Sequence, residues 1–333
     1  MANEDMAVTS DASTAVVDSP MHPRLLSGTI VVTDLHKSRE FYEQFLGLEC
    51  VRYASNRMLL RDRRSAAAMQ AGKDDNFVID VEQVSIISHP QRLLHHWGFD
   101  VFSIAEVDRI HMAAAAMQER FGIRKITPVS QNHGAHSFYF ADRDMNWWEI
   151  ECRLDGLDNE GFFARGDMYP TPDESRSHQS ETRSLLRREF TPANAIAGDL
   201  ELTHGTCEQR ALDNSRAFLE QVLGLRCVRH LKPAQMFAGR SPFSVFAIEL
   251  PRVKEQPRQN RWIIGVADSQ ELESTRARAQ AHRDKLGIRE IGPVDAGSYG
   301  TAFIIQDADG NWWEVTHCDP GIFQARYARG DID

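Results

Sequence analysis

The sequence predicts an α+β protein of four βαβββ modules, two in each of two domains. Three observations carry this: an internal repeat that splits the 333-residue chain, a strand–helix–strand order that recurs within each half, and a Pro-, Ser- and charge-rich stretch between the halves. Each half is long enough to bury its own core, and 42% hydrophobic with 26% charged residues is ordinary for globular domains.

The repeat is direct. Residues 27–53 align without gaps with 204–230, with 14 of 27 positions identical. A second block pairs GIRKITPV (122–129) with GIREIGPV (287–294), and DRDMNWWE (142–149) with DADGNWWE (307–314). The exits match as well, Arg165-Gly166-Asp167 against Arg329-Gly330-Asp331, and read as a repeated loop rather than an adhesion motif. The expected domains are therefore 25–167 and 199–331, joined by a linker over 168–198. Residues 1–24 are acidic and small, without the basic start and apolar centre of a signal peptide, and read as the disordered tail of a cytoplasmic protein.

Within the first half, Thr29–Thr33 is a β-rich run. Asp34 then caps a helix that places Phe41, Tyr42, Phe45 and Leu46 on one face and stops at Gly47. Strands follow near 49–53, 57–60 and 76–82. A second unit opens with the β run Trp97–Phe102 and a helix from about Glu106 to Phe121, halted by Gly122. It closes with a hairpin of Ser137–Phe140 and Trp147–Cys152, turning over 142–146. The Trp147-Trp148 and Trp312-Trp313 pairs occur in both copies and so read as core packing, with a further option of packing between the domains.

Composition excludes several functions. Lys+Arg 38 against Asp+Glu 48 gives a net charge of −10, which argues against nucleic acid and against an anionic membrane surface as partner. No apolar run is long enough to span a bilayer. The five cysteines form no CxxC pair and read as reduced core thiols.

VVTDLHKSREFYEQFLGLE, HHWGFDV and SFYFADRDMNWWEIE resemble the vicinal oxygen chelate superfamily, which includes glyoxalase I, extradiol dioxygenases, epimerases and bleomycin-binding proteins. The resemblance implies glyoxalase-like domains in which paired modules form a cupped mixed sheet around a divalent metal. Ligands there come from the first and last strands of each module. Carried over, the ligand positions are Ser27 and Asp80 in module one, His96 and Glu149 in module two, His204 and Glu249 in module three, and Arg261 and Glu314 in module four. Pairing of module two with module three gives one cup His96, Glu149, His204 and Glu249, a set that suits one divalent ion per chain (Fe, Ni, Zn, Mn or Co). The other cup then holds Ser27, Asp80, Arg261 and Glu314, where a guanidinium stands in for the cation and no metal is expected.

Hairpin parity puts Tyr139 across from Glu149 and turns His133 the same way, whereas His95 and His136 face away. Glu149, Glu249, Tyr139 and His133 are the candidate catalytic groups. Four protein ligands leave an octahedral ion two positions. That favours Lewis-acid isomerase, epimerase or lyase chemistry on a small substrate with vicinal oxygens, with a carboxylate moving the proton. Three ligands leave three positions, enough for a catechol or hydroquinone plus dioxygen at Fe(II), so Glu249 decides between the isomerase and the ring-cleaving dioxygenase. A metal-free sequestering protein is the third reading. Arg124 and Arg143 are candidate holders of an anionic substrate group, and either a monomer or a homo-oligomer is compatible with the duplication.

Overall fold

The structure is a computed structural model that describes residues 23–72, 76–167, 195–230, 235–240 and 243–332, the segment 235–240 by its backbone. The expected tail lies almost wholly outside the described residues, as does 168–194 of the expected linker.

Module one runs β1 (Arg24–Val32), α1 (Leu35–Glu40), β2 (Glu49–Ala54), β3 (Arg57–Arg61), α2 (Arg63–Gln70) and β4 (Val78–Gln83). Asp34 caps α1 as its sequence suggests, its carboxylate accepting from Lys37 N at 3.0 Å. The helix then widens into a π-turn over Phe41–Phe45, which brings Phe41, Tyr42 and Phe45 into the core. Module two contains β5 (Trp97–Asp100), α3 (Ile104–Ala116), α4 (Gln118–Phe121), β6 (Lys125–Ile126), β7 (Ser130–Asn132), β8 (Ala135–Ala141), β9 (Trp147–Arg153) and α5 (Asn159–Arg165). The single helix expected up to Phe121 is broken at Met117, and Gly122 ends α4 in the left-handed conformation.

The second half repeats this order. Module three has β10 (Glu201–Gln209), α6 (Leu212–Ala217), β11 (Arg226–Arg229), β12 (Gln235–Arg240) and β13 (Phe243–Glu249). Module four has β14 (Arg261–Gly265), α7 (Ser269–Ala281), α8 (Arg283–Leu286), β15 (Glu290–Ile291), β16 (Asp295–Ala296), β17 (Gly300–Gln306), β18 (Trp312–Cys318) and α9 (Ile322–Arg329).

The modules pair crosswise. One mixed sheet runs β11-β12-β13-β10-β5-β9-β8-β6 and joins modules two and three; the other runs β15-β17-β18-β14-β1-β4-β3-β2 and joins modules one and four. Antiparallel pairing of β5 with β10, and of β1 with β14, makes the two seams. Each sheet therefore takes one module from each sequence half. The exit loops reinforce the exchange: Asp167 bonds Arg216 and Arg229 N of module three, and Asp331 bonds Arg39 and Arg52 N of module one.

The sheets meet through aromatic rings. Trp97 lies against Gly28 and Trp262 against Gly205, with the two indoles 4.7 Å apart and Phe77 stacked on Phe243. Trp148 and Trp313 are fully buried core residues instead, their indole N–H groups donating to Asp142 and Asp307. The five cysteines are free thiols.

Candidate metal centre

His96 immediately precedes β5, Glu149 lies in β9 and His204 lies in β10, so three neighbouring strands bring the three residues together at the seam of modules two and three. All three are buried, at 2%, 1% and 1% exposure. Glu149 Oε2 lies 2.9 Å from His96 Nε2 and 3.2 Å from His204 Nε2, and one ligand atom from each residue fits within a 4.8 Å cluster. His96 Nε2 makes no hydrogen bond despite that short approach, and neither does Glu149 Oε1. Two buried polar atoms without a partner, in a cluster whose ligand atoms lie this close together, are what a ligand set for a cation would leave.

The far sides of the rings are held by the protein. His96 Nδ1 is 2.7 Å from Leu93 O, and His204 Nδ1 is 3.1 Å from Thr203 Oγ1. Both imidazoles thus present Nε2 to the common point. Burial by itself would push the Glu149 carboxyl up, but the imidazoles of His96, His204 and His133 outweigh it and hold that group well below the ordinary carboxylate range.

Tyr139 stands opposite Glu149 in the β8–β9 ladder, as hairpin parity predicts. His133 arrives by another route than strand regularity. It sits in a turn with φ 44°, and its Nε2 reaches Tyr139 Oη at 3.1 Å and Glu149 Oε1 at 3.6 Å. Burial, followed by the Glu149 charge, pushes the Tyr139 phenol well above its ordinary value. His136 turns outward to Asp108 at 2.9 Å. His95 lines the crevice between the sheets, where burial brings its pKa down to about 3 and keeps the ring neutral.

Glu249 is not in the cup. It ends β13 and accepts from Leu212 N at 2.9 Å, satisfying a free N–H at the start of α6. The residue that faces the cup from β13 is Phe246, paired with Thr206 in the same register that pairs Asp80 with Thr29 in the other sheet. Its ring lies 5.0 Å from the His204 ring, edge to face. The carboxylate expected at the fourth position is replaced by the Phe246 ring, and three candidate ligands remain. Arg124 and Arg143 also lie elsewhere, Arg124 donating to Arg143 O and Arg143 standing 4.0 Å from Asp34.

Behind His204 is a layer that sequence reasoning missed. Thr203 donates to Asp100 at 2.7 Å, and Arg153 Nε lies 3.3 Å from Asp100 and 3.0 Å from Glu151. Glu151 Oε1 is 3.5 Å from His204 Nδ1. The signal was available in β9: Glu149, Glu151 and Arg153 alternate onto one face of a strand that is buried throughout.

The other cup is filled by its own side chains. Arg261 takes the place of His96 and pairs with Glu314 at 2.6 Å, while Ser298 donates to the same carboxylate. Asp80 is bound by Tyr53 and by Arg57 rather than by Arg261, and Tyr299 reaches both Ser27 and Asp80.

Residues 24–150 match the model of the Glyoxalase/Bleomycin resistance protein/Dioxygenase superfamily. No curated protein sequence matches significantly. Among solved structures, a candidate dioxygenase from Bacillus subtilis superposes with a TM-score of 0.57 at 13% identity, covering 91% of this chain and 87% of that one. Glyoxalase I from Zea mays gives 0.55 at 16% identity, covering 92% and 96%. Among the described residues no helix is long and apolar enough to cross a membrane. Residues 24–150 thus carry a domain of the Glyoxalase/Bleomycin resistance protein/Dioxygenase superfamily, and the chain as a whole shares its fold with glyoxalase I and the candidate dioxygenase.

Proposed function

We propose that this protein is an Fe(II)-dependent ring-cleaving dioxygenase acting on a dihydroxylated aromatic ring, with one metal per chain held by His96, Glu149 and His204. The observation that carries the reading is Phe246 where a fourth ligand would stand. Two imidazoles and one carboxylate suit Fe(II) and leave three positions, enough for a chelating diolate and dioxygen together. The isomerase reading takes its second carboxylate from Glu249, which is occupied at the start of α6, and the nearest other one, Glu151, is held by Arg153. When bound, the iron would supply adjacent positions for the diolate and dioxygen and the redox capacity for ring cleavage.

The chain's own groups handle protons and exclude water. His133 is part-exposed at the rim and bonded to Tyr139, so it can accept a substrate hydroxyl proton and pass it to solvent. Tyr139 keeps its proton at neutral pH and donates to an oxygen near the ligand cluster. Phe162, Phe246 and His230 line a small cavity beside His133 together with Glu151 and Arg153. Both dioxygen atoms enter the product as one ring C–C bond breaks, so the electrons balance without an external reductant. The Arg261 cup is expected to stay metal-free, because its guanidinium already neutralises Glu314.

Metal content of anaerobically purified protein, with oxygen uptake on catechols and hydroquinones, tests the reading. About one iron per chain and one dioxygen consumed per ring opened is the expected result. Oxygen-indifferent turnover with nickel or zinc would overturn it in favour of an isomerase or lyase, and chelator-insensitive binding without turnover would point to a sequestering protein.

A further inference from the structure

We propose that Asp100, Glu151, Arg153 and Thr203 form a positioning layer for His204 that serves ion binding rather than the fold. The direction of the relay follows from proton counting. Thr203 has one hydroxyl proton and donates it to Asp100 at 2.7 Å, so its oxygen must accept from His204 Nδ1 at 3.1 Å. Arg153 holds Asp100 at 3.3 Å and Glu151 at 3.0 Å, and Glu151 flanks the same Nδ1 at 3.5 Å. Asn159 ties the layer to the backbone, accepting from Arg153 at 2.9 Å and donating to Thr203 O at 2.8 Å. With Nδ1 bonded to Thr203, the His204 ring is oriented so that Nε2 faces Glu149.

Two further observations separate this role from a structural one. Asp100, Glu151 and Arg153 are all buried, and burying three charges is a poor way to stabilise a sheet. The duplicate acts as an internal control. At the positions of Thr203, Asp100, Glu151 and Arg153 it carries Leu26, Gly265, Thr316 and Cys318, and at that of His204 it carries Ser27. It forms the same strand order without a single charge there. At these four positions, charges stand where a histidine is to be aimed and neutral residues where the duplicate has Ser27.

The test is Co(II) affinity of the full chain, measured by competition with a chelator, alongside the melting temperature of the metal-free protein. Thr203→Val keeps the volume and loses the relay. It is expected to weaken cobalt binding about 10–100-fold with little change in metal-free melting, and Thr203→Ser is expected to restore the affinity. Glu151→Gln is the second variant, should Thr203→Val fail to fold, with a loss in the same direction. Unchanged affinity in both folded variants would overturn the proposal, as would a wild-type chain that binds no cobalt. The inference rests on the ligand cluster and not on ring cleavage: normal cobalt affinity without oxygen uptake counts against the dioxygenase reading alone.

Discussion

Gly98 lies directly across the seam from His204, and a methyl group placed on it would fall 2.0 Å from the imidazole. In the other sheet the same two positions are Ile263 and Ser27, so large and small have exchanged sides. The glycine is required by the ring rather than by its own backbone. Gly98→Ala should leave the sheet folded and turn the His204 imidazole away, lowering divalent-metal affinity by roughly tenfold or more. Equilibrium dialysis with Co(II) reads this, and unchanged affinity would show that the ring is not confined there.

On the proposed reading, Phe246 sets how many positions a bound metal keeps. Phe246→Asp restores the carboxylate found as Asp80 in the other sheet. The expected result is tighter metal binding, a metal-free protein less stable by about 1–3 kcal/mol from the buried acid, and loss of oxygen-dependent turnover. Retained oxygen uptake in a metal-loaded variant would show that a fourth protein ligand is compatible with the reaction.

How much of this was legible depends on whether a feature is local or set by register. The repeat, the Asp34 cap, the Gly122 stop and the pairing of Tyr139 with Glu149 all follow from short-range pattern, and each is found in the structure. The meeting of His96 with His204 was accessible from ligand chemistry, because only crosswise pairing keeps the guanidinium away from them. Glu249 failed for a register reason. The two repeat blocks differ in offset, so one or more gaps lie between them, and nothing local places those gaps relative to β13. Three-dimensional pairing puts Phe246 at the ligand position, three residues before the glutamate in the same strand. His133 was found by parity although a left-handed turn is what delivers it. The layer behind His204 draws on β5, β9 and β10 together, a juxtaposition no single segment announces.

The exit clasps should respond to acid. Burial pushes Asp167 and Asp331 up, but hydrogen bonds from Arg216 and Arg229 N, and from Arg52 N and Arg39, outweigh it and leave both carboxyls below their ordinary value. A lowered folded-state pKa adds stability that is present above the unfolded value of 3.8 and is lost as pH falls through the folded one. Melting should therefore soften below about pH 4 in part through these clasps. Asp167→Asn with Asp331→Asn should lower stability at pH 7 by about 0.2–1 kcal/mol per site and flatten that acid limb. An unaltered acid limb would assign it to other carboxylates.

Arg261 gives the sharpest contrast between the cups. Its guanidinium meets Glu314 at 2.6 Å and Ser298 Oγ at 2.8 Å, and Glu314 is buried. Arg261→Met leaves that carboxylate without its cation, although Ser298 N and Oγ still donate to it at 2.7 and 2.9 Å. The expected loss is about 3 kcal/mol, at the low end for a broken buried pair because those two donors remain. Replacing both partners, Arg261→Met with Glu314→Leu, should recover most of it, since apolar packing replaces a pair whose burial was costly to begin with. Metal stoichiometry should stay at one per chain in all three proteins, because His96, Glu149 and His204 belong to the other sheet. Calorimetry with metal analysis on the same samples checks both halves of the argument: a fall in bound metal with Arg261→Met would mean that the arginine cup takes part in binding, and a double variant no more stable than the single one would mean that the ion pair contributes net stability where it sits.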